Sequence, residues 1–266
     1  MADSKTSPSN RYNVRVINRA VSILRLLSDG KPRTLMAISH ELNLSSSTAY
    51  RLLSSLSSHR LIQLEESTGN YRLGIACLEL SYAYHSKNEV RRVAMPELEK
   101  LRDTTKETVH LAVLDEIEII YLEKLEGLFA IGIMSSRVGK RAPAYCTGIG
   151  KALIAYEDSE LIRIHFREGN LKIFTENTIA DLDRLLEHLQ KVRQRGYAVD
   201  VGEHESEVRC IAAPIFDQNG KAIAAISVSG PKKRMDPVER NEKLIEKTME
   251  TANTISAKLG YNADQR

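Results

Sequence analysis

Residues 35–74 read LMAISHELNLSSSTAYRLLSSLSSHRLIQLEESTGNYRLG, and the division of this stretch into elements decides the fold of the first part of the chain. Thr34 is placed to cap a short helix with Leu35, Ile38 and Leu42 on one face, and Asn43 suits the left-handed turn that ends it. A further run from about Ser46 to Ser58 puts Ala49, Leu52, Leu53 and Leu56 at helical spacing. Burying that stripe determines what remains outside. Ser47, Tyr50, Arg51, Ser54 and Ser58 then recur at i, i+3, i+4, i+7 and i+11 on the opposite face. LIQLEE and YRL read as two short strands joined by a polar turn at STGN.

Upstream, VINRAVSILRLLSD predicts a helix with Ile17, Ala20, Val21, Leu24 and Leu27 as its apolar face, ended by Gly30 and Pro32. Residues 1–10 are expected to be a disordered tail. Three helices followed by a two-stranded wing make residues 11–74 a winged helix-turn-helix, whose third helix enters the DNA major groove while the wing lies over flanking backbone. The candidate DNA contacts are therefore Ser46, Ser47, Thr48, Tyr50, Arg51 and Ser54 on the helix, with Asn70 and Arg72 on the wing. Arg51 can pair bidentately with guanine O6 and N7, and Ser47 and Thr48 can bond base edges or phosphates. Any one of these serines alone reads as solvent-facing; the ordered set argues for DNA.

Charge supports the same partner. Residues 1–74 hold ten Lys/Arg against five Asp/Glu, which leaves 28 against 30 for the rest of the chain. A basic front on a slightly acidic body suits an anionic polymer. With 266 residues, 42% hydrophobic and 27% charged, the chain is expected to form two domains. No apolar run approaches the roughly 18 residues that span a bilayer, and the start MADSKTSPSN is polar, so a cytoplasmic protein without membrane association is expected. Cys77, Cys146 and Cys210 are far apart and odd in number, which argues against a disulfide framework. Neither G-x-S-x-G nor H-E-x-x-H occurs and the seven histidines are scattered, so an enzyme is not expected.

After Gly74, IACLELSYAYHSKNEVRR predicts a connecting helix over 75–92, and Pro96 is read as the start of another, PELEKLRDTT. VHLAVLD, IEIIYLEKLE and FAIGIMSS read as strands; TGIGKALIAY, DSELIRIHF and IADLDRLLEHLQKVRQRG as helices, the last closed by Gly196. YAVDV, VRCIAAPIFD and AIAAISVSG return to strands, with a turn at QNGK, and a closing helix is expected from about Pro237 to Leu259. CTGIGK places two glycines at a helix start, where the Gly148 and Ile149 amides favour a carboxylate or phosphate. It is not a P-loop, because Tyr145 stands at the first glycine and Ala152 at the Ser/Thr. Ser227 and Ser229, on a neighbouring strand, can supply hydroxyls to the same ligand.

STAYRLLSSLSSHRLI, TKETVHLAVLD, IIYLEKLEG, RAPAYCTGIGKALIA, RGYAVDVGEHESEVRCIAAPIFD and AIAAISVSGP occur in this order, and together they resemble the IclR-type bacterial transcriptional regulators over nearly the whole chain after residue 12. The resemblance implies an α+β protein: an N-terminal winged helix-turn-helix, a linker helix, and a C-terminal GAF-like α/β effector-binding domain with an antiparallel sheet over 93–266. It implies a ligand-responsive regulator, a repressor of a catabolic operon relieved by a small carboxylate such as a keto sugar acid. The likeness is greatest to members that govern 2-keto-3-deoxygluconate and pectin breakdown. Its partners would be a pseudo-palindromic double-stranded DNA operator, a small organic acid and a second copy of itself, with dimers pairing into tetramers and no cofactor. The resemblance also adds Asp200 and Cys210 to the polar wall of the effector site, and Met134, Ala142 and Val208 to its apolar wall. Small residues at several of these positions lead one to expect room for more than a two- or three-carbon acid.

Glu207 departs from the pattern, standing where the family has glycine, which puts the local turn in question and adds a charge near the mouth. A zinc site of Cys146 and Cys210 with His110 or His204 is the rival reading, but no short C-x2-C spacing supports it and no metal is expected. An enzyme or a metal-sensing regulator built on the same domain is the alternative function.

Overall fold

The computed structural model describes residues 14–128, 134–166 and 171–262, and the chain divides into two compact units, Met1–Lys87 and Asn88–Arg266. The expected tail at 1–10 lies outside the described residues.

The first unit contains α1 (Arg15–Leu27), β1 (Arg33–Thr34), α2 (Leu35–Glu41), α3 (Ser46–Ser58), β2 (Ile62–Glu65), β3 (Asn70–Leu73) and α4 (Ile75–Lys87). Thr34 caps α2 by accepting from the Ala37 amide at 3.3 Å, and Asn43 takes a φ of 49° after it. Ala49, Leu52, Leu53 and Leu56 of α3 are buried with Ile23, Leu27, Ile38, Ile62 and Tyr71 in one cluster. The apolar face of α1 is rotated from the expected one. Ile17 and Val21 are 58% and 40% exposed, whereas Ile23 and Leu27 are sealed against α3. α1 carries two apolar stripes, and spacing alone does not say which one meets the core.

The wing is a three-stranded sheet in the order β1-β3-β2, with Arg33 opposite Tyr71 and Thr34 opposite Asn70. The third strand was not expected, since two residues are too few to show a period. Arg33 anchors it, donating to Asp29 at 2.8 and 2.7 Å, to the Leu26 carbonyl at 3.0 Å and to Glu41 at 3.1 Å. The guanidinium holds the Asp29 carboxyl well below the usual range. Gly74 is required where the chain leaves the wing, because a Cβ there would lie 2.2 Å from the Arg60 carbonyl oxygen. α4 buries none of its side chains within its unit, leaving Ile75, Leu78, Leu80, Tyr82 and Tyr84 exposed.

The single helix expected over 75–92 is instead two. Asn88 stops α4 and its side chain accepts from the Arg91 amide at 2.9 Å, starting α5 (Glu89–Thr105), which runs through Pro96 rather than beginning there. Proline removes one amide donor, and the burial of Ala94, Leu98 and Leu101 holds the turns around it.

α5 opens the second unit. β4 (Thr108–Asp115), β5 (Glu118–Leu125), β6 (Arg141–Pro143), α6 (Gly148–Ile154), α7 (Ser159–His165), α8 (Leu182–Arg195), β7 (Ala198–Asp200), β8 (Val208–Phe216), β9 (Ala222–Pro231), α9 (Lys232–Met235), a 3-10 turn (Val238–Arg240) and α10 (Glu242–Lys258) follow. The six strands form one antiparallel sheet in the order β6-β5-β4-β9-β8-β7. Strand alternation sorts its side chains between two layers. Val109, Leu111, Ile211, Ile226 and Val228 pack with Leu98 of α5 and Ile255 of α10. Ala112, Ala198, Ala212 and Ala225 lie on the other face with Leu153 of α6 and Leu185 of α8. The alanines let α6 come close: a Cβ on Gly148 would lie 3.5 Å from that of Ala212. The α+β architecture and antiparallel sheet are as expected. Most of FAIGIMSS lies outside the described residues, and Met134–Ser136 are not in a strand; β6 supplies the edge instead, pairing Ala142 with Ile119. The closing helix starts at Glu242, after the 3-10 turn, rather than at Pro237.

Candidate nucleic-acid interface and ligand cavity

Ser45 caps α3 by accepting from the Thr48 amide at 3.3 Å, and its hydroxyl also meets those of Thr48 at 2.9 Å and Ser47 at 3.2 Å. The polar face of α3 then stands in solvent: Ser46, Ser47, Tyr50, Arg51 and Ser54 are exposed, and Thr48 is half-buried. On the wing, Arg72 is exposed opposite Gln63, while Asn70 is half-buried between Thr34 and Glu65. No ion pair among the described residues engages Arg51 or Arg72, so both guanidiniums are available to a phosphate or a base edge. Ser45 was missed as a site organiser; its position one residue before the helical run is the signal that marks it.

In the second unit, strand register builds the site. Thr108, Ser229, Cys210 and Asp200 lie in one row across β4, β9, β8 and β7, and His110, Ser227 and Ala212 lie in the next. Period two puts all of them on the α6 face of the sheet. The start of α6 closes down on this floor: a Cβ on Gly148 would sit 3.3 Å from that of Cys210 and 3.6 Å from that of Asp200. Thr147 caps the helix by accepting from the Gly150 amide at 3.2 Å, and the Gly148 and Ile149 amides have no acceptor within the helix. The cavity so formed is lined by Gly148, Ile149, Asp200, Cys210, Ser227 and Ser229, with Met134 and Val208 at its apolar side. Eight of the nine expected residues therefore meet. Ala142 does not; it packs in the core beneath β5.

Tyr121, Ser136, Thr147 and Glu205, which the sequence reading does not single out, also line the cavity, as do His110 and His204, which it offers only as zinc ligands. The His110 Nε2 meets the Ser136 hydroxyl at 2.9 Å and its Nδ1 faces Ser227 and Ser229 at 3.3 and 3.4 Å. Burial, helped by the Lys124 charge, lowers its pKa to about 3, so the ring is neutral and donates from one nitrogen while accepting at the other. Ser136 lines the cavity, and its neighbour Ser135 donates to Glu205, another lining residue, from its amide at 3.1 Å and its hydroxyl at 2.5 Å. With the His110 and Tyr121 rings 5.2 Å apart inside it, the cavity measures about 40 Å³. That is room for roughly three waters. The expected space for a larger acid is filled by these two rings, which small neighbours in the sequence did not reveal.

Behind the wall lies a buried ion cluster. Lys151 of α6, fully buried, contacts Glu203 and donates to the Val199 carbonyl at 2.7 Å. Asp200 accepts at Oδ1 from the Gly202 and Glu203 amides at 2.9 and 2.8 Å. Burial raises the Asp200 pKa, and it raises that of Glu203 to about 7, with the Lys151 charge acting in the opposite direction on both. Burial likewise keeps Cys146 and Cys210 as thiols. Among the described residues no group of three or more His, Cys, Asp and Glu side chains is placed to hold a metal. Glu207 is exposed, does not line the cavity, and has no left-handed φ, so nothing in its backbone demands glycine.

A winged helix-turn-helix with a bare polar recognition face, in one chain with a unit that encloses a polar cavity, defines a ligand-responsive DNA-binding transcriptional regulator. Residues 16–66 match the IclR helix-turn-helix domain and residues 82–257 match the bacterial transcriptional regulator IclR C-terminal family. The chain belongs to the IclR family. It is 33% identical over 250 residues to the HTH-type transcriptional regulator KdgR of Escherichia coli K12, covering 94% of both chains. It is 32% identical over 261 residues to the HTH-type transcriptional repressor AllR of the same strain, covering 97% of this chain and 95% of AllR. Among solved structures, an IclR homolog from Microbacterium hydrocarbonoxydans complexed with 4-hydroxybenzoate superposes with a TM-score of 0.79 at 27% identity, covering 92% of this chain and 98% of that one. No helix among the described residues is long and apolar enough to cross a membrane.

Proposed function

We propose that the chain is a cytoplasmic, non-catalytic repressor of a catabolic operon, released from its operator when a small organic acid enters the cavity of the second unit. The observation that carries this reading is the facing of two free helix-start amides, Gly148 and Ile149, by a hydroxyl pair, Ser227 and Ser229, in one buried cavity. The amides and Asp200 take the effector's carboxylate; the serines bond its other polar atoms; Met134 and Val208 cover its carbon skeleton. The naming of AllR as a repressor and the 4-hydroxybenzoate in the homolog support the sign of regulation and the carboxylate. Similarity to KdgR makes 2-keto-3-deoxygluconate the first acid to try. At about 40 Å³ the cavity admits an acid of that size only if His110, Tyr121 or Ser136 moves.

On the DNA side, Arg51 reads a guanine, Ser46, Ser47, Thr48, Tyr50 and Ser54 contact neighbouring base edges and phosphates, and Asn70 and Arg72 hold the flanking backbone. A homodimer presents two copies of α3 about one helical turn apart on a pseudo-palindrome, and dimers pair through the effector-binding units. The exposed apolar residues of α4 support a contact between copies in the first unit. Effector binding changes the spacing of the two recognition helices through the 75–92 segment.

Fluorescence anisotropy of an operator fragment, titrated with the chain in the presence of pyruvate, 4-hydroxybenzoate or 2-keto-3-deoxygluconate, tests the proposal. Release by at least one acid is expected. Tight operator binding that no acid weakens would sink the effector reading, and acid-strengthened binding would reverse the sign.

A further inference from the structure

The buried Lys151–Glu203 pair does not touch the cavity, yet it stands against the residue that does. Asp200 uses Oδ1 for two backbone amides and makes no hydrogen bond at Oδ2 among the described residues. It is 4% exposed and lines the cavity, while Glu203 is 2% exposed and has a buried Oε2 without a hydrogen-bond partner. We infer that Lys151 and Glu203 are positioning residues that make Asp200 the proton-bearing contact of the effector, so that an entering carboxylate brings one proton with it. This rests on the carboxylate effector proposed above.

The argument is one of charge in a dry place. Around Asp200, the loop after β7 contributes Glu203, His204 and Glu205, α6 contributes Lys151, β8 contributes Cys210, and β5 contributes Tyr121. The thiol and the phenol are neutral, since burial raises both. Lys151 and His204 therefore face three carboxylates, of which Glu205 is already bonded by Ser135 and lies 3.9 Å from the His204 Nδ1. An effector carboxylate adds a fourth negative charge within a few ångströms, where water does not screen it. The least costly response is uptake of a proton from solvent. Asp200 is where that proton is useful: held at Oδ1 by two amides, it presents Oδ2–H to the effector's carboxylate and turns a repulsion into a charge-assisted hydrogen bond. Lys151 opposes the protonation that burial favours at Glu203 and so limits its competition for the same proton.

Isothermal titration of the full chain with pyruvate, with 2-keto-3-deoxygluconate and with 4-hydroxybenzoate, at about pH 7.5 in two buffers of different ionisation enthalpy, counts the protons. Uptake of about one per site is expected, with affinity falling roughly tenfold per pH unit on the alkaline side. Asp200→Asn keeps the amide contacts and presents N–H in place of O–H, so its affinity should be independent of pH and its proton uptake absent. Glu203→Gln leaves Lys151 unopposed, which favours the Asp200 anion, and should shift the pH midpoint downward. A wild type that binds any of these acids without proton uptake overturns this inference and leaves the effector reading standing; an Asp200→Asn chain that still takes up a proton does the same. Failure of pyruvate, 2-keto-3-deoxygluconate and 4-hydroxybenzoate alike to bind from about pH 5.5 to 8 overturns both.

Discussion

The two candidate functional regions place their polar side chains in opposite surroundings. On α3, Tyr50 is 60% exposed and no ion pair among the described residues engages Arg51. In the cavity, Ser227 and Ser229 are each 2% exposed and are hydrogen-bonded to one another and to His110. A surface that must meet a polyanion keeps its donors solvated and unspent, at little cost to the fold. A cavity takes its donors out of water, and here the serine hydroxyls are satisfied within the protein while the Gly148 and Ile149 amides have no acceptor within the helix. Substitutions in the cavity should therefore disturb stability and pH dependence, while those on α3 should disturb only DNA binding.

The largest expected effect is that of Lys151→Met. It leaves Glu203 and Asp200 buried without their cation, and urea unfolding should show a loss of about 3–5 kcal/mol. A loss below about 1 kcal/mol would mean that the cluster is already neutral. Next comes the pH dependence of that cluster. Glu203 has a pKa raised from 4.5 to about 7, so the native state holds its proton longer than the unfolded chain does. Its contribution is complete below 4.5 and is lost as pH rises through 7. Wild type should therefore lose about 3 kcal/mol more than Glu203→Gln between about pH 4.5 and 8, as read from the two unfolding curves.

Arg51→Ala and Ser227→Ala set the two regions side by side. The first should weaken specific operator binding by about 1–3 kcal/mol, relax preference at one base pair per half-site, and leave the melting temperature unchanged. The second should weaken effector binding by about 1–3 kcal/mol with operator affinity retained, and destabilise the fold only slightly because His110 keeps Ser229 as a partner. A melting-temperature loss in Arg51→Ala, or an unchanged effector midpoint in Ser227→Ala, would break the contrast. The smallest effect is assigned to Arg72→Ala, which should reduce affinity for all DNA sequences alike and lower the salt slope by about one unit.

Much of the recognition unit was legible in residues 35–74, because a helix that buries Ala49, Leu52, Leu53 and Leu56 must expose Tyr50 and Arg51. The caps at Thr34 and the turn at Asn43 were legible for the same reason: each depends on contacts within four residues. What failed was every choice that neighbours make. The stripe of α1 that is buried, the strand at Arg33–Thr34 and the restart of the helix at Asn88 each depend on what packs or bonds across from them.

The cavity divides in the same way. Glycines at the head of α6, serines two apart on β9 and the resemblance over the whole chain marked eight of its residues, since these are properties of local chemistry and of spacing along the chain. His110 and Tyr121 entered only through the register of β4 against β9 and β5, which sets His110 opposite Ser227 and brings Tyr121 to Ala112 past a bulge. The linear sequence determined that this chain carries a DNA-reading helix and a ligand-binding unit. The size of the cavity, the neutral state of its histidine and the shared charge of Lys151, Asp200 and Glu203 were decided by tertiary structure alone, because burial and distance set them and neither is written along the chain.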